Sequence, residues 1–167
     1  MKQDYKIFTF FQNNFLRKIR YKKEAELIER CQVETILDIG CMDMMLPKLI
    51  DFDIEYEGID IKPKGDVKKM SIEKLSNKKY DMVICTEVLE HLENPIKAIQ
   101  KIKSIARKYI LISVPNEPYY TLLRCCTHPP EHLWTIFPDT LKLHLGKPIE
   151  EKLICFNRHY LGLWRVK

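Results

Sequence analysis

Short apolar runs of strand length recur along the chain and are separated by turn residues or by a helical pattern. One run ends at Ile39, and others fill residues 54–61, 80–85 and 109–114. Between the last two, Asn94-Pro95 supplies a capping side chain and a proline at the first helical position. The helix that follows buries a stripe formed by Ile96, Ile99, Ile102 and Ile105. Strand, helix and strand in this order predict an α/β domain with parallel neighbours and right-handed crossovers.

The two ends of the chain carry different patterns. Residues 7–31 predict one or two helices, while 152–156 and 161–166 suit two strands. The connection between those strands is so short that they must form an antiparallel hairpin. The stripe expected to pack against the protein from the N-terminal helical segment consists of Phe8, Phe11, Phe15 and Ile19.

The stretch from Glu34 to Leu46 predicts a strand, a tight turn and a helix that continues through Ile50. The strand ends at Asp38 and Gly40, and a glycine there lets the chain turn and lets a ligand approach the backbone closely. Ligands of parallel sheets bind beyond the carboxyl ends of the strands, so a ligand site is predicted at this edge. A domain with polar strand ends and no ligand is the alternative.

An acidic residue ends the second strand-like run, because Asp60 follows Gly40 by 20 residues. A carboxylate at this place can accept hydrogen bonds from both hydroxyls of a ribose. Asp66 could then accept a hydrogen bond from the amino group of a purine, with Val67 as an apolar face, or it could simply belong to a turn. A nicotinamide dinucleotide is a further alternative, although the full G-x-G-x-x-G pattern is absent from the sequence.

Length and composition indicate one globular domain. The 167 residues are 46% hydrophobic and 31% charged, which suits a single core, with 1–31 as an N-terminal helical segment and 34–167 as the sheet core. No apolar run reaches the length of a membrane span or of a signal-peptide core, so we expect no membrane association and a cytoplasmic location. The six cysteines form no C-x-x-C pair, so reduced thiols are expected.

The net charge of +5 comes mostly from the first 30 residues. A basic face there either contacts nucleic acid or another anionic surface, or is the solvated side of an amphipathic helix, which is the interpretation we favour. The residues of this face are Arg17, Lys18, Arg20, Lys22 and Lys23.

Residues 125–132 hold several side chains that ligate zinc, namely Cys125, Cys126, His128 and His132. Adjacent cysteines rarely reach one tetrahedral ion together, and the prolines of this stretch prevent a helix that would align the two histidines. We therefore assign no metal site. The aromatic and proline-rich segment 116–138 is instead expected to form a wall of a substrate pocket.

Four segments together resemble the class I S-adenosylmethionine-dependent methyltransferases, in particular the small UbiE/UbiG-like or MetW-like branch. The most specific is Glu87-Val88-Leu89-Glu90-His91, and the resemblance extends over residues 34 to 145. The segments are Leu37–Cys41, Gly58–Asp60, Tyr80–Leu92 and Leu111–Asn116. The resemblance implies a Rossmann-like, doubly wound, mostly parallel seven-stranded sheet with a C-terminal antiparallel hairpin.

The resemblance also implies where S-adenosylmethionine binds. Asp38 and Gly40 would border its methionine part, Asp60 would hold its ribose, and Asp66 with Val67 would flank its adenine. The residues from Cys85 to Glu87 would lie beside the sulfonium. The cofactor-binding residues predicted in this way are Asp38, Gly40, Cys41, Asp60, Ile61, Asp66, Val67, Cys85, Thr86 and Glu87.

Catalysis by this family depends mainly on orienting the acceptor and excluding water, so a dedicated base is optional. If the acceptor must lose a proton, His91 or His132 is the predicted base. A small-molecule acceptor is favoured because the chain offers no added recognition domain, and RNA or a protein remains an alternative acceptor. The sequence does not indicate an oligomeric state.

Two methionines depart from the pattern of the family. Met42 and Met44 stand where its loop would carry glycines. Their side chains either point away and leave the backbone path intact, or block the close approach of the cofactor. The second outcome would fit a catalytically silent binding or partner subunit that retains the fold.

Overall fold

The computed structural model of the chain describes residues 2–116 and 132–166, with side chains from Phe15 onward. Within these residues seven strands form one sheet. They are β1 (Thr35–Ile39), β2 (Glu55–Asp60), β3 (Lys68–Lys69), β4 (Tyr80–Thr86), β5 (Ala106–Pro115), β6 (Glu150–Ile154) and β7 (His159–Arg165). Their order across the sheet is β3-β2-β1-β4-β5-β7-β6.

The first five strands are parallel, and β7 pairs antiparallel with both β5 and β6. The hairpin predicted at the C-terminus is therefore confirmed. Its turn is tight because Cys155, Phe156 and Asn157 all have positive φ angles. The position of β7 beside β5 brings the start of β7 to the same edge as the ends of β4 and β5.

Three α-helices cover the two faces of the sheet in the described part of the chain. These are α1 (Lys2–Cys31), α2 (Pro95–Ile105) and α3 (Pro138–Leu145). Helix α2 begins as predicted, since the Asn94 side chain accepts a hydrogen bond from the Lys97 amide at 2.9 Å. It packs with α3 on one face, over a core that includes Val83, Ile99 and Leu141. Helix α1 covers the opposite face, so the predicted doubly wound α/β architecture is confirmed.

The stripe predicted for α1 is wrong at Phe15, which is 58% exposed. The buried side of this helix contains Leu16, Ala25 and Ile28 instead, packed over Ile84 and other residues of the central strands. The side chains of Phe8 and Phe11 lie outside the described residues. The predicted stripe was chosen from the aromatic residues, whereas the side of α1 that packs on the sheet carries smaller apolar residues.

The helix predicted after β1 does not form. Residues 40–54 are fully described, and they contain turns and the single 3₁₀ turn Pro47–Leu49. The positive φ angles of Met42 and Met44 interrupt any regular helix, and Pro47 lacks the amide hydrogen that a continuing helix needs. Helix α1 covers the sheet face beside this connection, with contacts to the 3₁₀ turn.

Candidate active site

The loop after β1 crosses the carboxyl ends of β1 and β2. Gly40 has a φ angle of +81°, and a Cβ atom added to it would lie 2.2 Å from the Val88 side chain beyond β4. The amides of Gly40 and Cys41 both donate to the Ile59 carbonyl, at 2.8 and 3.2 Å. Only glycine fits this position, so the turn anticipated at Gly40 is present and is fastened to β2.

Met42 and Met44 keep the backbone path of a glycine loop. Their φ angles are +55° and +53°, in the left-handed region that glycine normally occupies. The Met42 sulfur lies 3.0 Å from Nη1 of Arg17, and a Cβ atom added to Gly58 would lie 2.4 Å from the Met44 sulfur. One side chain thus contacts α1 and the other lies over β2.

We expect Met42→Gly to raise the free energy of unfolding by about 1 kcal/mol, because glycine adopts a positive φ without the steric cost that methionine bears. Met45→Gly is the matched control. Met45 packs against the core beneath α1, so its loss should destabilise the protein. Urea unfolding of both variants measures these changes. A less stable Met42→Gly protein would contradict the expectation.

Asp60 lies at the end of β2 and organises the loop. Its Oδ2 accepts a hydrogen bond from the Met42 amide at 3.0 Å, and its Oδ1 accepts one from the Lys62 amide at 2.7 Å. A carboxylate has about four lone-pair positions, so each oxygen can accept one further hydrogen bond. The carboxylate is half-buried. It can therefore bind the loop and a pair of hydroxyl groups together.

The segment after Asp60 closes over the same loop. The Lys64 amide donates to the Met42 carbonyl at 2.8 Å. Val67 is buried, whereas Ile61 and Asp66 are exposed. Strand β3 begins directly after Val67, at Lys68. One buried apolar side chain and two exposed side chains thus follow the strand end where the sequence predicts a nucleoside.

Asp38 is buried beneath α1 and accepts a hydrogen bond from the Tyr56 hydroxyl at 2.6 Å. Burial raises the pKa of its carboxyl to about 7. The Tyr56 hydrogen bond and the charge of Arg20 lower the pKa, while the charges of Glu24 and Asp60 raise it further. This strand-end acid is a neutral or titrating group at physiological pH.

The contribution of Asp38 to the stability of the protein should consequently fall as the pH rises from about 4 to 7. In this interval the folded chain holds a proton on Asp38 that the unfolded chain has released. The contribution is fully present below about pH 4 and is lost as the pH passes through about 7, with a slope of at most about 1.4 kcal/mol per pH unit. In urea unfolding between pH 4 and 8, the free energy of unfolding of the wild type should decrease relative to that of Asp38→Asn, and a constant difference would refute this.

Cys41 and Cys85 are packing residues. Burial raises the pKa of the Cys41 thiol to about 12 and that of Cys85 well above its usual value. Cys85 is 0% exposed and faces the core under α2. Because the Cys85 side chain faces the core, only the backbone of this residue can lie beside the sulfonium predicted at this strand end.

Three strand ends meet at Glu87, just beyond β4. Its Oε1 accepts a hydrogen bond from the Ser113 hydroxyl at 2.8 Å, and its Oε2 lies 2.8 Å from Nδ1 of His159. Burial raises the pKa of Glu87, but the charge and hydrogen bond of His159, the charge of Arg20 and the Ser113 hydrogen bond outweigh burial and lower it. Glu87 therefore stays ionised, with a φ angle of +58° that turns it toward the sheet edge.

Arg20 of α1 reaches the same strand end. Its Nη1 donates to Oε1 of Glu24 at 2.8 Å and to the hydroxyl of Thr86 at 2.6 Å. Arg20 is 7% exposed, so the solvated face expected for it is wrong. Burial lowers its pKa, but the charges of Glu24, Glu87 and Tyr21 and the hydrogen bond to Glu24 together outweigh burial and raise it. Arg17 is also occupied, by an ion pair with Asp43 at 3.0 Å.

The structure brings both predicted bases together. The ring centroids of His91 and His132 are 4.8 Å apart at an interplanar angle of 77°. Glu90 lies beside them, with its Oε1 3.9 Å from Nε2 of His91. The other members of the zinc arrangement considered above, Cys125, Cys126 and His128, lie outside the described residues.

Sequence reasoning missed Tyr56, Ser113 and His159. Each is a polar residue on a strand, and Ser113 and His159 lie at strand ends that meet only through the β5–β7 pairing. Ser113 could have been found from its position directly before Val114-Pro115, at the end of a predicted strand. His159 reaches Glu87 through the register of the hairpin, which no local sequence pattern predicts.

Comparison with known proteins identifies the family. The sequence profile of the methyltransferase domain matches residues 10–161. No match was found among curated protein sequences.

Several solved structures share the fold. N-methyltransferase NodS from Bradyrhizobium japonicum WM9 has 15% identity and a TM-score of 0.67, with 92% of this chain and 97% of that chain covered. Magnesium protoporphyrin IX methyltransferase (ChlM) from Synechocystis PCC 6803, with bound SAM, has 16% identity and a TM-score of 0.67, over 92% and 85% of the two chains. Small RNA methyltransferase HEN1 has 19% identity and a TM-score of 0.71, over 91% of this chain and 25% of that one.

The family match covers most of the chain, and the strand order is that of the fold expected from the resemblance. The narrower UbiE/UbiG-like or MetW-like branch stays a prediction. The chain belongs to the methyltransferase-domain family and is a class I methyltransferase that uses S-adenosylmethionine.

Proposed function

We propose that this enzyme methylates a small molecule bound at the ends of β4, β5 and β7, and that His159 accepts the acceptor's proton. The observation that carries the proposal is the Glu87–His159 pair, whose atoms Oε2 and Nδ1 are 2.8 Å apart at this edge. The sequence predicts His91 or His132 as the base, and both assignments stay predictions.

The residues around the β1 loop fit a nucleoside cofactor. Asp60 would accept the ribose hydroxyls through its remaining lone pairs, while Gly40 and the left-handed residues Met42 and Met44 keep the backbone close to the strand ends. Val67 would support the adenine, and Asp66 would accept from its amino group. S-adenosylmethionine supplies an electrophilic methyl group on a positively charged sulfur.

The protein's part in the proton transfer follows from the state of Glu87. Because its pKa is lowered, Glu87 is an acceptor, and Nδ1 of His159 carries the hydrogen that bonds to it. When the ring is neutral, Nε2 has the free lone pair and is the atom that takes a proton from a hydroxyl or ammonium group of the acceptor. Ser113 fixes the other Glu87 oxygen and thereby the orientation of the pair.

The charges near this edge favour a small acceptor over RNA. Glu93, which follows the turn after β4, is exposed, and its carboxylate would repel a phosphate backbone. The basic front of the chain is partly occupied, because Arg17 and Arg20 form ion pairs with Asp43 and Glu24. The similar structures include a magnesium protoporphyrin IX methyltransferase and a small RNA methyltransferase, so the fold is compatible with either class of acceptor.

We expect His159→Gln to lower kcat about 100-fold while the affinity for S-adenosylmethionine changes little, since the base acts on the acceptor. Glu87→Gln should lower kcat less, because the imidazole keeps a hydrogen-bond partner but loses the charge of that partner. His144→Gln, at the end of α3, is the matched control and should keep full activity.

Transfer of a labelled methyl group to phenols, amines and carboxylic acids, with total RNA and denatured protein assayed in parallel, tests the proposal. Incorporation into RNA or protein alone would overturn the small-molecule acceptor. Full activity of His159→Gln on the active acceptor would overturn the assigned base.

A further inference from the structure

One residue of α1 holds two side chains of the loop after β1. Nη1 of Arg17 donates to the Met42 sulfur at 3.0 Å, and its Nη2 donates to Oδ2 of Asp43 at 3.0 Å. Neither loop side chain has another hydrogen-bond partner among the residues whose side chains are described. A single guanidinium thus joins two consecutive residues of the loop to the helix.

Arg17 is itself fixed, because it stands between buried residues of α1. Leu16 is buried in the core under this helix, and Arg20, three residues after Arg17, donates to Thr86 of β4 at 2.6 Å. The Arg17 guanidinium also lies 5.7 Å from the centre of the buried Tyr21 ring, which follows it by four residues on the helix. The donor is therefore in place before any ligand binds.

The contact with Arg17 completes a set of bonds that converge on Met42. The Met42 amide donates to Oδ2 of Asp60 at 3.0 Å, and the Lys64 amide donates to the Met42 carbonyl at 2.8 Å. A φ angle of +55° is costly for a residue with a Cβ atom, so the surrounding contacts must hold it. Arg17 holds the side chain of the same residue whose amide binds Asp60.

The ion pair between Arg17 and Asp43 is partly shielded from solvent. The two side chains are 26% and 23% exposed, and Oδ1 of Asp43 is a buried oxygen without a hydrogen-bond partner in the described part of the chain. Without the guanidinium, this carboxylate would lose its counter-charge and turn toward water. The loop backbone would move with it, since Asp43 directly follows Met42.

We propose that Arg17 is a positioning residue for the cofactor. It acts through Met42 and Asp43, which it holds so that the loop keeps its shape beside Asp60 in the free enzyme. A preformed loop raises affinity, because the free energy of ordering it is not subtracted from the free energy of binding. This role also accounts for the methionine, whose sulfur offers α1 an acceptor that glycine lacks. The inference rests on the cofactor position proposed above and does not depend on the acceptor.

Calorimetric titration of the full chain with S-adenosylmethionine tests this role. Arg17→Met and Asp43→Asn should each weaken binding about tenfold, and the double variant should bind no more weakly than either, since both changes break the same contact. Arg17→Lys should retain part of the affinity, because an ammonium keeps the charge beside Asp43 but lacks the forked donors that also reach Met42. Lys18→Met is the matched control. It removes the same charge from an exposed neighbour on α1 and should leave affinity unchanged.

A second ligand distinguishes positioning from direct contact. Methylthioadenosine keeps the nucleoside of the cofactor but lacks its amino-acid part, so a guanidinium that bound the carboxylate of the cofactor would not affect it. If Arg17 acts through the loop, Arg17→Met should weaken both ligands by similar factors. Weaker binding of S-adenosylmethionine alone would overturn the positioning role. Asp43→Asn leaves α1 intact, so it decides the question if Arg17→Met fails to fold.

The same titrations separate this inference from the cofactor position on which it rests. If Asp60→Ala loses affinity while Arg17→Met and Asp43→Asn bind as the wild type does, the inference alone is wrong. If Asp60→Ala also binds as the wild type does, the cofactor does not lie at this loop, and the inference fails together with that position.

Discussion

Asp60→Ala is expected to weaken S-adenosylmethionine binding about a thousandfold. In the cofactor position that we propose, the carboxylate accepts both ribose hydroxyls, and a hydrogen bond to a charged group contributes about 1.5 to 3 kcal/mol. Alanine also releases the Met42 and Lys62 amides, which Asp60 holds at 3.0 and 2.7 Å. The loop would then lose the anchor that keeps its left-handed path beside the cofactor. Calorimetric titration with S-adenosylmethionine measures the change.

Two further variants make the result specific. Asp53→Ala removes an exposed acid just before β2, has the same change in charge and should leave affinity unchanged. Asp60→Asn keeps the shape of the side chain but loses its charge and one acceptor oxygen, so an intermediate loss of about tenfold is expected. If Asp60→Ala kept the affinity of the wild type, the ribose would not lie at this strand end, and the cofactor position that we infer would be wrong.

Much of the fold was predictable because it rests on local patterns. Strands β1, β4 and β5 are buried on both faces and appear in the sequence as continuous apolar runs. The cap at Asn94 and the turn at Gly40 depend on single residues whose chemistry allows few alternatives. The acidic end of β2 was found for the same reason, since it follows its glycine at a characteristic distance.

The parts that the sequence did not reveal depend on tertiary contacts. Nothing local distinguishes Arg20 from the exposed lysines beside it, and its burial follows from the acceptor that Thr86 offers across the sheet face. The segment after Gly40 has helix-compatible residues. It forms no helix, because Met42 and Met44 have left-handed backbone angles and the amides of Gly40 and Cys41 are bonded to β2. The convergence of His91 and His132 likewise appears only when the segment before α3 docks on the turn after β4.

Arg20→Met should destabilise the protein by about 3 to 5 kcal/mol, the range observed when one partner of a buried ion pair is removed. Glu24, which is 0% exposed, would keep its carboxylate without the guanidinium that lies 2.8 Å away, and Thr86 would lose its donor. Glu24 would then favour its protonated form still more strongly. The loss should accordingly be smaller at pH 5 than at pH 8, since a neutral carboxyl is less costly to bury.

The double variant Arg20→Met, Glu24→Leu decides whether the charge or the packing matters. Replacing both partners of a buried pair by apolar groups of similar size is often close to neutral, so the double variant should regain most of the lost stability. Lys23→Met is the matched surface control. It breaks the exposed Lys23–Glu26 pair, 2.8 Å long on the same helix, and should change the free energy of unfolding by less than about 0.5 kcal/mol. Urea unfolding of the four proteins measures all of these values. If the double variant were no more stable than Arg20→Met, the uncompensated charge of Glu24 would not be the cause, and the bond from Arg20 to Thr86 would have to supply the stability instead.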